Sequence, residues 1–182
     1  MVMILRRMRG EDGEMSLGGR GYDARAVANY FLNKAWDEDR NLTPMQVLKL
    51  VYIAHGWTLA IMDNPLIRDP VQAWEYGPVI RSVYDSFKRF GGKEITELAT
   101  AYYPKSQKIA VVKSDFIRFE RDILDKTWEI YGNLEGFQLS GLTHREGTPW
   151  QKVWENRTTS NARIPNELIR DHYIELAGLG GE

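Results

Sequence analysis

The chain has 182 residues, of which 43% are hydrophobic, with a formal net charge of −1 and no cysteine. That length suits one domain able to bury a sizeable core. The missing cysteines exclude a disulfide framework, thiolate catalysis and cysteine-ligated zinc, and they fit a reducing cytosol. The near-neutral charge provides no global basic field to draw the chain to nucleic acid or an anionic membrane.

The opening, "MVMILRRMRGEDGEMSLGGRGY", is a short apolar patch, then charges, then glycines, without the apolar h-region of a signal peptide. Residues 1–21 read as a mobile tail or a start placed too far upstream, and residues 22–182 as the domain. No uninterrupted apolar run reaches the roughly 18 residues needed to cross a bilayer.

From Tyr22 onward, Ala24, Val27, Ala28, Phe31 and Ala35 recur at helical spacing behind Asp23, a plausible N-cap. In "NLTPMQVLKLVYIAHGWTLAIM", Thr43 and Gln46 have capping-box spacing and Pro44 sits at the first helical position. That helix is apolar nearly all round, through Val47, Leu48, Leu50, Val51, Tyr52, Ile53, Ala54 and Trp57. A helix without a polar face is usually wrapped by others, so it is expected at the centre.

"DNPLIRDP" reads as loop and "VQAWEY" as a short strand. Gly77 and Pro78 are expected to turn the chain into a helix, with Ile80, Val83, Tyr84 and Phe87 inward, Arg81, Asp85, Lys88 and Arg89 outward, and a stop at Gly91-Gly92. "KEITELATAYYPKSQKIAVVK" reads as loop with room for a short strand. A helix follows, with Ser114 as a candidate cap and Phe116, Phe119, Ile123 and Ile130 as burial candidates. Short helices are expected around "LSGLTHREG" and "TPWQKVWENR", and a last one between Pro165 and Gly178. The fold class is therefore mainly α: a compact helical domain around a buried central helix, with a small β element, strand or hairpin.

Catalytic motifs are scarce. His55, His144 and His172 fall on three separate expected helices, and no HExxH, EF-hand loop, GxSxG elbow, P-loop or GxGxxG is present. The pattern names no catalytic residue, metal or cofactor. Arg81, Lys88, Arg89 and Lys93 form a basic face, but Asp85 and an acidic chain offset it, so a DNA-recognition role is not favoured. Trp74 and Tyr76 precede a turn and are open to two readings, core or interface rim. His144 in "LTHREGTPW" is either a structural histidine donating to a main-chain carbonyl or a ligand-facing group, and the lack of a partner motif favours the former.

Three blocks together, "LTPMQVLKLVYIAHGWTLA", "NPLIRDPVQAWEYGPVIRSVYDSFKRFG" and "LSGLTHREGTPWQKVW", resemble the Panacea domain, the SocA-like antitoxin domain of bacteria and phages. They span roughly Asp23 to Trp154. The resemblance implies a non-enzymatic, cytoplasmic, mostly helical protein without cofactor, encoded beside a toxin. It implies neutralisation by direct binding of that toxin, in some cases an alarmone-synthetase-like enzyme, or by delivery of the toxin to the ClpXP protease. About twenty residues before the first helix are too few for a helix-turn-helix module, so DNA-binding autoregulation is not expected. The alternatives are a DNA-binding regulator and a nucleotide- or nucleic-acid-processing enzyme using His144 with a carboxylate. The expected partner-binding residues are Trp74, Tyr76, Arg81, Lys88, Arg89, His144 and Trp150. Arg81 and Arg89, beside an exposed edge of Tyr76, are expected to contact an acidic or active-site region of the partner.

Overall fold

The computed structural model describes residues 21–159 and 161–178, so the tail expected over 1–21 lies outside the described residues apart from Gly21. Helix α1 (Ala24–Asp37) starts where Asp23 accepts from the Arg25 amide. Helix α2 (Pro44–Met62) opens with a complete capping box. The Thr43 hydroxyl accepts from the Gln46 amide, and the Gln46 side chain accepts from the Thr43 amide.

Strands β1 (Val71–Trp74) and β2 (Gly77–Ile80) lead into α3 (Arg81–Phe87), and a 3-10 turn over Lys88–Phe90 ends at Gly91. Strands β3 (Thr100–Tyr103) and β4 (Lys108–Val111) follow. Then come α4 (Arg118–Tyr131), α5 (Gly136–Thr143), α6 (Pro149–Glu155), β5 (Arg163–Ile164) and α7 (Asn166–Leu176).

Helix α2 is the centre of the fold. It packs against α1, α3, α4, α5, α7 and β2, and Leu50 and Val51 are fully buried. Averaged over Lys49 and His55, α2 is long and apolar enough to cross a membrane, but 89% of its most apolar window is buried inside the domain. It is a core helix. Gly56 permits close packing against α7, because a Cβ there would meet the Tyr173 ring at 2.2 Å.

The fold is mainly α around α2 with a small β part, as expected. One sheet has strand order β2-β1-β5, all antiparallel, and β3-β4 form a separate hairpin. Gly77 and Pro78 do not start a helix. They open β2, and the helix waits until Arg81. The reason is pairing: Ala73 opposes Pro78 and Trp74 opposes Gly77, so the segment after the turn completes a hairpin first.

Helix α4 also starts later than expected. Ser114 is not its cap; the Glu120 carboxylate reaches back to the Ile117 amide at 3.0 Å and accepts from the Tyr22 hydroxyl at 2.6 Å. Phe116 and Ile123 are buried and Phe119 is half-buried, but Ile130 is 39% exposed. The buried stripe is Glu120, Ile123, Leu124, Thr127 and Trp128, and Ile130, seven residues after Ile123, lies at the rim of that stripe in the last turn of the helix.

Buried Asn29 of α1 anchors the β3-β4 hairpin. Its amide donates to the carbonyls of Ala99 and Val112, both at 2.9 Å, and its oxygen accepts from the Ala99 amide at 2.8 Å.

Candidate functional site

The segment "AWEYGPV" forms a tight hairpin whose turn is Glu75-Tyr76. Neither turn residue has a positive φ, so the left-handed dihedral falls on Gly77, at +104°. A Cβ on Gly77 would also meet the Lys49 ammonium at 2.4 Å and His144 Cε1 at 2.8 Å. Glycine is therefore demanded twice, by dihedral and by space.

The main-chain carbonyls of this hairpin are gathered by donors beneath it. The Trp150 indole N–H donates to the Trp74 carbonyl at 2.8 Å. Lys49 Nζ donates to the carbonyls of Tyr76 at 2.6 Å and Pro78 at 3.3 Å, and the Ser140 hydroxyl reaches Tyr76 at 3.4 Å. His144 Nε2 lies 3.5 Å from the Glu75 carbonyl, at the limit of a hydrogen bond. Helices α2, α5 and α6 thus converge on one turn.

Lys49 is buried and has no carboxylate partner among the described residues. Burial alone pushes its ammonium down to about 7.

His144 serves the same scaffold. Its Nδ1 lies 2.6 Å from the Ser140 carbonyl, which fixes Nδ1 as the donor, and its ring packs 3.9 Å from Trp150, which stacks on Trp154. Ser140 Oγ is 3.2 Å from that same Nδ1. A nitrogen already donating to the main chain cannot take the serine proton, and no carboxylate contacts the ring among the described residues, so the Ser140–His144 pair is not arranged for nucleophilic catalysis. Among the described residues no cluster of histidine and acidic side chains could hold a metal ion.

Of the seven residues singled out from sequence, Trp74, Tyr76, His144 and Trp150 come together at the turn, with different fates. Trp150 is buried and Trp74 half-buried against Tyr84, while Tyr76 is 67% exposed beside exposed Glu75. Arg81 lies 5.7 Å from the Trp74 ring and pairs with Asp85, and Lys88 pairs with the same carboxylate. Arg89 is engaged elsewhere, with Glu97 and the Phe90 ring. Tyr84 is half-buried rather than fully inside. A groove of about 390 Å³ opens beside Tyr76, lined by Met45, Leu48, Trp74, Val79, Tyr84 and Lys88 among others.

Sequence reasoning missed Lys49 and Ser140. Lys49 left a signal, a single cation inside the apolar run "VLKLVYIA". Ser140 left none.

A family model described as "Antitoxin SocA-like, Panacea domain" matches residues 47–151, from the body of α2 to Gln151 in α6. The chain is similar to Antitoxin SocA of Caulobacter vibrioides (strain NA1000 / CB15N), with 30% identity over 154 residues, 83% of this chain and 82% of that protein. No solved structure matches the chain significantly. The matched region contains the carbonyl-gathering residues Lys49, Ser140 and Trp150, the hairpin they hold and His144 beside them, and the chain belongs to the SocA-like Panacea domain family.

Proposed function

We propose that this protein is an antitoxin that neutralises a cognate toxin by binding it directly, without catalysis of its own. The observation that carries the reading is the similarity to Antitoxin SocA along more than four fifths of both chains. The geometry agrees with a binding role. The polar groups around the β1-β2 hairpin are spent on its own backbone, and what they hold outward is the Glu75-Tyr76 turn beside an apolar groove. A preformed turn bearing an exposed tyrosine loses little entropy on docking and is suited to a hot spot. Arg81 and Lys88 flank it for polar contacts.

The test is co-expression with the protein encoded by the neighbouring reading frame. Growth should be restored and the two proteins should co-purify. Tyr76→Ala should weaken the complex by about thirtyfold if the ring is a hot spot worth roughly 2 kcal/mol. Rescue without any complex would point instead to delivery of the toxin to a protease such as ClpXP. Failure of rescue would overturn the antitoxin reading.

A further inference from the structure

The β3-β4 hairpin stands apart from the hairpin discussed so far. Its strands pair only with each other among the described residues. Residues 102–110 are all exposed, including Tyr102 at 60% and Ile109 at 73%. These two oppose each other across the ladder, so they form one apolar patch on one face.

The open edge can be assigned. The Val112 amide donates to the Ala99 carbonyl at 3.0 Å. Because hydrogen-bonded pairs alternate in an antiparallel ladder, Thr100 and Tyr102 on β3, and Ile109 and Val111 on β4, turn their N–H and C=O groups outward. The Thr100 carbonyl accordingly takes a bond from Arg25, at 3.4 Å. No such cover lies over β4 among the described residues.

Charge narrows the occupant. Between Ala99 and Ser114 the sequence has Lys105, Lys108 and Lys113 and no acidic residue. None of the three lysines is in an ion pair among the described residues, whereas Arg81, Lys88 and Arg89 all are. Lysines on an edge strand discourage self-pairing. Deterrence explains the lysines but not an exposed Tyr102–Ile109 patch.

We infer that the outer edge of β4 receives an extended acidic segment of the partner protein as an added strand, with Lys105, Lys108 and Lys113 pairing its carboxylates and Tyr102 and Ile109 covering its apolar side chains. This rests on the reading that the chain works by holding a partner protein, and it supplies a second contact distinct from the Tyr76 turn.

The test uses the full chain and the protein encoded by the neighbouring reading frame, with affinity measured by calorimetry. Changing Lys105, Lys108 and Lys113 together to Glu should weaken binding by about tenfold or more with an unchanged melting temperature. Ile109→Pro should bind more weakly than Ile109→Ala, because proline removes an outward N–H without costing a ladder bond. Slow hydrogen exchange at Ala110 certifies that the hairpin survives either change. In the complex the Ile109 and Val111 amides should become protected. Equal affinities for all variants, with no added protection, would overturn the inference while leaving the antitoxin reading intact. A concentration-dependent dimer abolished by Ile109→Pro, or retention on a single-stranded oligonucleotide abolished by the triple Glu variant, would replace it with a self-pairing or a nucleic-acid surface. No binding by the unaltered chain would overturn both readings.

Discussion

The ammonium of Lys49 donates to the main-chain carbonyl of Tyr76 at 2.6 Å, so a buried cation on the central helix holds the most exposed turn of the family hairpin. Lys49→Met keeps the packing volume but leaves the Tyr76 and Pro78 carbonyls without their donor. The expected loss is about 1–3 kcal/mol in chemical denaturation, with partner binding weakened as the turn loosens. The pH dependence has a definite sign. Between about 7 and the ordinary lysine value the unfolded chain holds a proton that the folded one does not. Stability of the unaltered protein relative to Lys49→Met should therefore rise with pH across that window. A flat difference would mean that Lys49 stays charged in the fold.

Gly77→Ala should be more damaging than Lys49→Met. It forces an L side chain to a φ of +104° and places its Cβ 2.4 Å from Nζ and 2.8 Å from His144. A fall in melting temperature no larger than that of Gly92→Ala, where a Cβ meets nothing within 4 Å, would refute the close packing described.

The two arginines singled out from sequence should separate binding from folding. Both are exposed and paired with exposed carboxylates, Arg81 with Asp85 and Arg89 with Glu97. Changing both to Glu should alter stability by no more than about 1 kcal/mol. If they contact an acidic region of the partner, the double change should weaken the complex by about tenfold or more. Full binding by the variant would remove them from the interface.

His55 predicts acid sensitivity. It is fully buried on α2, with Nε2 3.2 Å from the Asn166 side-chain oxygen and Nδ1 without a partner, and burial pushes it down to about 4. The folded state therefore keeps the ring neutral while the unfolded chain protonates near 6.5. Its contribution is present above that value and is lost as pH falls towards 4, amounting to about 3 kcal/mol. Denaturation curves at pH 7 and pH 4.5 should show this slope, and His55→Leu should flatten it despite lower absolute stability.

Core truncation should follow burial. Leu50→Ala should cost about 2–4 kcal/mol. Asn29→Ala, which strips three hydrogen bonds from the base of the β3-β4 hairpin, should speed hydrogen exchange across that hairpin more than elsewhere. Uniform acceleration through the domain would argue against a local anchor.

The helices were legible because their signals are local. Asp23, Thr43, Gln46 and Pro44 announce helix starts through residues two or three apart. The hairpin at Gly77-Pro78 was misread because glycine followed by proline satisfies a helix start as readily as a strand paired across a two-residue turn. Only the opposing Ala73 and Trp74 decide between them. The β3-β4 pairing was half visible for a related reason: its anchor, Asn29, lies 70 residues from Ala99. At the site, pattern reasoning found Trp74, Tyr76, His144 and Trp150 but could not sort holder from held. That distinction depends on which carbonyl each donor meets.

The inward-facing donors have a consequence for how such a protein can change. Glu75 and Tyr76 give the hairpin their backbone, while their side chains stand in solvent. Replacing either side chain leaves Lys49, Ser140 and Trp150 with the same carbonyls to hold. The donors beneath the hairpin therefore constrain which shape is displayed and leave open what is written on it. Two chains with the same "GP" step and the same lysine beneath it need share no partner at all.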